Sequence, residues 1–308
     1  MIRPRALRPG DRIAVVAPAS PFDREQFDAG VAELRALGFE PVYDDRVFAR
    51  RGYVAGDAQL RAWAFSDAWC TPGIAALIAV RGGYGSVQML PHLDSAALRE
   101  SPKLFIGYSD TTSLLTFITQ ACGIVAVHGP MLEGRLARAE AGYDRSSLLA
   151  CVSNAEPMGE LRPPGLEVIR PGEAAGTLVG GTLSQLVASL GTPYAFNPPE
   201  GAVLFLDEVA ERPYRIDRMF TQLRLSGILA RTSAIVWGEL PRCDEPAGEP
   251  SARGILADLV EGFTGPVLAG FPSGHTAGPS FTIPFGVRAR VISAPAPRLI
   301  IEEPAVTA

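Results

Sequence analysis

Three kinds of side chain in this sequence could together break an acyl bond: a serine at a sharp corner, a histidine in a loop, and carboxylates at a strand end. Ser109 lies in Lys103-Leu-Phe-Ile-Gly-Tyr-Ser-Asp-Thr-Thr-Ser-Leu-Leu115. The apolar run Leu104-Phe105-Ile106 predicts a buried strand, Gly107 permits a turn, and Thr111 to Thr119 predicts a helix start. A serine at such a corner exposes its hydroxyl, and the helix-start N–H groups point at whatever that hydroxyl attacks. With a base and an orienting carboxylate it becomes a nucleophile. The pattern departs from the usual G-x-S-x-G elbow, because its fifth position is Thr111.

The chain has three histidines to serve as base. His92, in Leu-Pro-His-Leu-Asp, reads as a surface residue. His128 ends the apolar stretch Val-Ala-Val-His, and His275 lies in the small-residue loop Gly270-Phe-Pro-Ser-Gly-His-Thr-Ala-Gly-Pro279. Loops and strand ends on a rigid scaffold tend to carry function, so both His128 and His275 qualify, and the pattern leaves the choice open. Asp207 and Glu208 end the run Ala202-Val-Leu-Phe-Leu-Asp-Glu-Val209. Either could hold an imidazole in one tautomer, or pair with Arg212, Arg215 or Arg218. The turn Gly82-Gly83-Tyr84-Gly85 lacks the Lys-Ser/Thr of a phosphate loop and the spacing of a dinucleotide fingerprint. Beside a nucleophile, its backbone N–H groups could instead stabilise an oxyanion.

The elements that must position these residues alternate. Strands are predicted near 11–18, 41–43, 75–80 and 104–106. Helices are predicted near 22–37, 58–68, 87–90 and 96–99. This alternation argues for a doubly wound parallel sheet, whose sites form at the carboxyl ends of strands. Gly82-Gly83 and Ser109 both fall at such ends. From about 138 to 170 the periodicity weakens and Pro157, Pro163 and Pro164 accumulate, which reads as an interdomain connection between a domain at 1–137 and another at 171–308. The second region repeats the alternation: 176–186 reads as a strand, a glycine turn and a helix, with further strands near 202–209, 234–238 and 267–271 and helices near 216–225 and 255–263. It ends at 286–303 in short strands of antiparallel type.

With 308 residues, 47% hydrophobic and 20% charged, the chain can bury a substantial core. A net charge of −5 with scattered basic residues gives no footprint for nucleic acid or an anionic membrane. No apolar run reaches the roughly 20 residues of a membrane helix, and the N-terminus lacks an apolar signal core, so a cytoplasmic protein is expected. Cys70, Cys122, Cys151 and Cys243 are far apart, without the spacing of a zinc site or disulfide framework.

Taken together, the sequence resembles the LD-carboxypeptidases, serine peptidases that trim murein tetrapeptides, and the related microcin C immunity peptidases. The resemblance runs in order along nearly the whole chain. It is carried by Leu7-Arg-Pro-Gly-Asp-Arg-Ile-Ala-Val-Val-Ala-Pro-Ala-Ser20, Gly52-Tyr-Val-Ala-Gly56, Val80-Arg-Gly-Gly-Tyr-Gly85, Ile106-Gly-Tyr-Ser-Asp-Thr111 and His128-Gly-Pro-Met131. It continues through Gly180-Gly-Thr-Leu-Ser184, Leu204-Phe-Leu-Asp-Glu-Val209 with Pro213-Tyr-Arg-Ile-Asp-Arg-Met219, and Gly274-His275 with Ile283-Pro-Phe-Gly286.

The resemblance implies an α/β protein with a flavodoxin-like, class I amidotransferase-like N-terminal domain. A smaller C-terminal α/β domain with a mixed sheet or barrel would follow. It also implies a Ser–His–acid triad, with Ser109 as nucleophile and His275 as base. The family's usual acid is Glu. An ungapped match places Asp207 at that position and Glu208 one residue later, and Asp207 is the expected acid with Glu208 as the alternative. Backbone N–H groups of Asp110 and of Gly82 or Gly83 would form the oxyanion hole. Arg81, Tyr84 and Arg212 are candidates for holding substrate, the arginines for its terminal carboxylate. The implied reaction releases D-alanine from a small murein peptide, needs no metal or organic cofactor, and is run by a family in which homodimers are common. Two other readings stand beside it: a peptidase acting on a peptide–nucleotide antibiotic such as microcin C, and a non-catalytic peptide-binding protein.

Overall fold

The computed structural model describes residues 1–308, and the chain divides into two compact units. The first holds residues 1–156, 278–286 and 304–308, and the second holds 157–277 and 287–303.

In the first unit, strands and helices alternate as β1 (Arg12–Val16), α1 (Arg24–Ala36), β2 (Glu40–Val42), α2 (Ala58–Cys70), β3 (Ile74–Ala79), α3 (Ser95–Glu100), β4 (Leu104–Gly107), α4 (Thr112–Thr116), β5 (Ala126–His128) and α5 (Arg145–Ser153). β3 and β4 are buried along their whole length, as strands covered by helices on both faces must be. The helices start on side-chain caps: Asp23 accepts from Gln26 N, Asp57 from Leu60 N, and Asp94 from Ala96 N. The five strands are parallel in the order β5-β4-β3-β1-β2, so the winding direction reverses between β1 and β3. A doubly wound sheet opens its ligand crevice at that switch point, outside the carboxyl ends of the strands. The loops after β1, β3 and β4 emerge there, and they carry Ser20, Gly82-Gly83 and Ser109.

The second unit is built on β6 (Gly159–Leu161), β7 (Glu167–Arg170), β8 (Glu173–Thr182), α6 (Leu183–Ser189), β9 (Ala202–Asp207), α7 (Pro213–Leu225), β10 (Thr232–Trp237), α8 (Ala252–Leu259) and β11 (Val267–Ala269). After β12 (Ile283–Phe285) the chain adds β13 (Arg288–Ile292) and β14 (Arg298–Ile301) to it. Its sheet is mixed and open, in the order β6-β14-β13-β8-β9-β10-β11-β7. β8 to β11 are parallel neighbours, and the outer strands pair antiparallel. Because β6 and β7 are free edges, the mixed-sheet form of the expectation holds and the barrel form does not. Ile216, Phe220 and Leu223 of α7 and Leu256 of α8 pack with Leu204, Leu206 and Trp237 into one buried cluster.

Two features depart from the sequence reading. Residues 138–170 are not a bare connection. α5 buries Leu148, Cys151 and Val152 in the first unit, while β6 and β7 form the edges of the second sheet. Both strands are short and largely exposed, so their side chains show little period-two burial to read. The second unit is also not continuous to residue 308. β12 leaves it to pair antiparallel with β5, placing Ile283 opposite His128, and Ala6 N donates to Thr307 O. All four cysteines are free thiols, and no helix is long and apolar enough to cross a membrane.

Candidate active site

In the first unit Ser109 stands at a strained corner. Ser109 opens a single turn, Ser109–Thr111, directly after β4, with φ +64°. A non-glycine residue in this left-handed region carries backbone strain, on the order of 1–3 kcal/mol, that recurs at functional corners. Thr111, which stands where an elbow glycine is usual, donates its hydroxyl to Tyr108 O at 2.9 Å and thereby locks the corner. The glycine turn lies against it: a Cβ on Gly82 would sit 2.9 Å from both Cβ and Oγ of Ser109 and 3.2 Å from Asp110 N. Only a residue without a side chain lets the turn approach this closely. Gly82→Ala is therefore expected to slow phosphonylation of Ser109 by a fluorophosphonate about 100-fold while the far-UV circular dichroism stays unchanged. An unchanged labelling rate in the folded variant would remove Gly82 from the site.

Two further side chains hold the turn: Ser20, to which the sequence reading gives no role, and Asp110, for which it gives a role only to the backbone N–H. Ser20 N donates to Gly82 O (3.2 Å), and Ser20 Oγ accepts from Tyr84 N (3.1 Å) and donates to Tyr53 O (2.9 Å). Asp110 is buried, and its carboxylate accepts from Gly85 N (3.3 Å) and Ser86 N (2.8 Å). Burial pushes its carboxyl above the usual range, and the Ser86 and Gly85 hydrogen bonds pull it back. Ser20 closes the stretch Val-Ala-Pro-Ala-Ser after β1, and that position at a strand's carboxyl end is its one visible signal.

In the second unit an imidazole meets a carboxylate. Asp207 ends β9 with its side chain fully buried. Its Oδ2 accepts from the His275 backbone N–H at 2.9 Å and lies 2.7 Å from the ring Nδ1, while its Oδ1 accepts from Thr182 Oγ1 at 2.8 Å. Thr182 stands opposite Asp207 in the β8–β9 register, so the sheet itself aims the carboxylate. A carboxylate against Nδ1 assigns the imidazole proton to that nitrogen and makes Nε2 the basic one. Glu208 makes other contacts. Its Oε2 accepts from Ser184 N (2.8 Å) at the start of α6, and its Oε1 from Val209 N (3.1 Å). Burial pushes the Glu208 carboxyl upward, and the Ser184 N–H opposes this. Adjacent residues leaving a strand point to opposite sides, which divides the two acids between a ring and a helix start.

The other sequence candidates are placed as follows. His128 is buried at the end of β5, its ring 6.0 Å from that of Tyr108 and 5.3 Å from that of Phe285, and it packs within the first unit. His92 is exposed. Arg81 precedes the glycine turn and pairs with Glu133 at 3.3 Å. Tyr84 is exposed within the turn, its ring 5.7 Å from that of Tyr53. Arg212 precedes α7 in the second unit and pairs with Glu245 at 3.5 Å.

Comparisons with known proteins bear on both units. The LD-carboxypeptidase N-terminal domain matches residues 13–129, and the LD-carboxypeptidase C-terminal domain matches residues 175–291. A carboxypeptidase relative from Streptomyces coelicolor is 38% identical, covering 99% of this chain and 98% of its own. The murein tetrapeptide carboxypeptidase of Pseudomonas aeruginosa is 31% identical over 86% of this chain and 88% of its own. Among solved structures, the muramoyltetrapeptide carboxypeptidase of Oxalobacter formigenes aligns with a TM-score of 0.81 at 28% identity, covering 95% of this chain and 99% of that one. With one family matching in both halves and a relative matching end to end, the chain belongs to the LD-carboxypeptidase family.

Proposed function

We propose that this protein is a serine LD-carboxypeptidase that releases the terminal D-alanine from murein tetrapeptides. The observation that carries the reading is the 2.7 Å contact between Asp207 Oδ2 and His275 Nδ1, since a carboxylate-oriented imidazole is the base that a serine peptidase requires. In the proposed reaction His275 Nε2 takes the proton of Ser109 Oγ as the oxygen attacks the peptide carbonyl of the stem's third residue. The developing oxyanion is met by backbone N–H groups of Asp110 and of Gly82 or Gly83, each such donor being worth about 3 kcal/mol of barrier. His275 then hands its proton to the leaving amine of D-alanine, and water, deprotonated by the same nitrogen, hydrolyses the acyl-enzyme. Asp207 stays ionised throughout and stabilises the imidazolium. Arg81, Tyr84 and Arg212 are the proposed candidates for substrate contact.

Incubation with murein tri-, tetra- and pentapeptides, followed by mass spectrometry, tests the assignment. The expected result is loss of one alanine from the tetrapeptide and none from the tripeptide. Hydrolysis of an aminoacyl sulfamoyl nucleoside with no release of D-alanine would replace the murein substrate with a peptide–nucleotide one.

A further inference from the structure

Arg61 of α2 is a buried cation at 3% exposure, and it donates to four uncharged acceptors. Nε donates to Gly56 O (3.2 Å), Nη1 to Pro18 O and Gly85 O (2.6 Å each), and Nη2 to Gln88 Oε1 (2.6 Å). Burial lowers its affinity for its proton, against the attraction of Asp110 and Asp57, but a guanidinium stays charged at any working pH. Holding a cation out of water without a carboxylate in contact is costly, so the carbonyls it gathers must return a benefit in structure or function.

Those carbonyls belong to the segments after β1, before α2 and after β3. The third is the end of the glycine turn, and Gly85 is gripped from both sides. Its C=O accepts from Arg61, and its N–H donates to the carboxylate of Asp110, the residue after Ser109. The fit leaves no slack, because a Cβ on Gly85, at φ +128°, would lie 2.8 Å from Arg61 Nη1 and 2.8 Å from Val54 Cγ1. The opposite end of the same turn, Gly82, abuts Ser109 Oγ. A buried cation and a buried carboxylate thus hold the two peptide groups that flank Gly85, and that residue fixes the end of the turn that lies against the serine.

We infer that Arg61 is a positioning residue for the reaction, acting with the Asp110 carboxylate to set the Gly82-Gly83 amides at their working distance from Ser109 Oγ. The inference rests on Ser109 being the nucleophile. It depends on the planar fork of the guanidinium, which reaches carbonyls of separate segments at once. A lysine ammonium, a point charge on a flexible stem, keeps the charge and loses that geometry.

The test compares wild-type protein with Arg61→Lys and Asp110→Asn. It measures the kcat and KM for D-alanine release from murein tetrapeptide, the phosphonylation rate of Ser109 by a fluorophosphonate, and thermal melting. In both variants kcat and the phosphonylation rate are expected to fall together, about 100-fold for Arg61→Lys, with KM little changed, because a displacement of about 1 Å at a reacting centre has that effect. A lowered melting temperature with both rates at the wild-type level in either folded variant would reduce the network to a structural one and overturn the inference. If Arg61→Lys does not fold, Asp110→Asn decides alone. Wild-type protein that is phosphonylated but releases no D-alanine would refute the substrate reading, and slowed phosphonylation in the variants would still support the positioning role.

Discussion

Ser109→Ala protein is expected to fold normally and to lose D-alanine release by a factor of about 10⁴–10⁶ in kcat, the range seen when a nucleophile that acts as part of a unit is removed. The size follows from the chemistry. Without Oγ there is no acyl-enzyme, and only binding and the oxyanion donors remain to assist attack by water. Alanine keeps the Cβ of serine, so the substitution leaves the strained φ of +64° at this corner as it was and adds nothing for Gly82 to meet. Melting temperature should therefore change little, which separates a catalytic loss from a structural one. The same variant distinguishes enzyme from binding protein. A peptide-binding protein would keep its affinity and lose nothing else, whereas an acyl-transfer enzyme should keep peptide binding by calorimetry and lose turnover. Release of D-alanine by Ser109→Ala at the wild-type rate would end the serine-peptidase reading.

Much of this arrangement is legible in the sequence, and the reasons are local. The runs at Leu104–Ile106 and Ala202–Leu206 are long enough, apolar enough and sharply enough bounded to read as buried strands, and the residues just beyond them, Ser109 and Asp207, inherit a strand-end position. What stayed hidden depends on contacts far apart in sequence. Arg61 looks like any helical arginine until Pro18, Gly56 and Gly85 converge on it. Ser20 gives no sign that its hydroxyl bridges Tyr53 and Tyr84. The exchange of β12 into the first sheet is invisible for the same reason, because three residues of strand carry no pattern that says which sheet they join. The choice between His128 and His275 could not be made from spacing, and the resemblance made it. The structure gives the two rings different surroundings: His128 lies among Tyr108 and Phe285, and His275 lies on a carboxylate.

The neighbouring acids offer the second large effect. Asp207→Asn is expected to lower kcat by about 10⁴, and Glu208→Gln to leave it within about threefold of wild type. An asparagine at 207 can present its oxygen either to the His275 backbone N–H and ring or to Thr182 Oγ1, and whichever way it turns, it withdraws the negative charge that stabilises the imidazolium. If the amide nitrogen faces the ring, it also forces the proton from Nδ1 to Nε2, leaving the wrong nitrogen basic. Glu208 lies outside this network. Its carboxylate satisfies Ser184 N at the start of α6 and Val209 N, so its loss leaves buried donors without an acceptor, at about 1–3 kcal/mol each. Glu208→Ala should accordingly melt at a lower temperature and, where folded, turn over at close to the wild-type rate. The two acids thus separate by readout as well as by size, with Asp207 governing kcat and Glu208 governing Tm. The reverse pattern, a collapse of kcat in Glu208→Gln with Asp207→Asn active, would mean that the strand shifts by one residue when substrate binds and that the 2.7 Å contact at Nδ1 is not the working one.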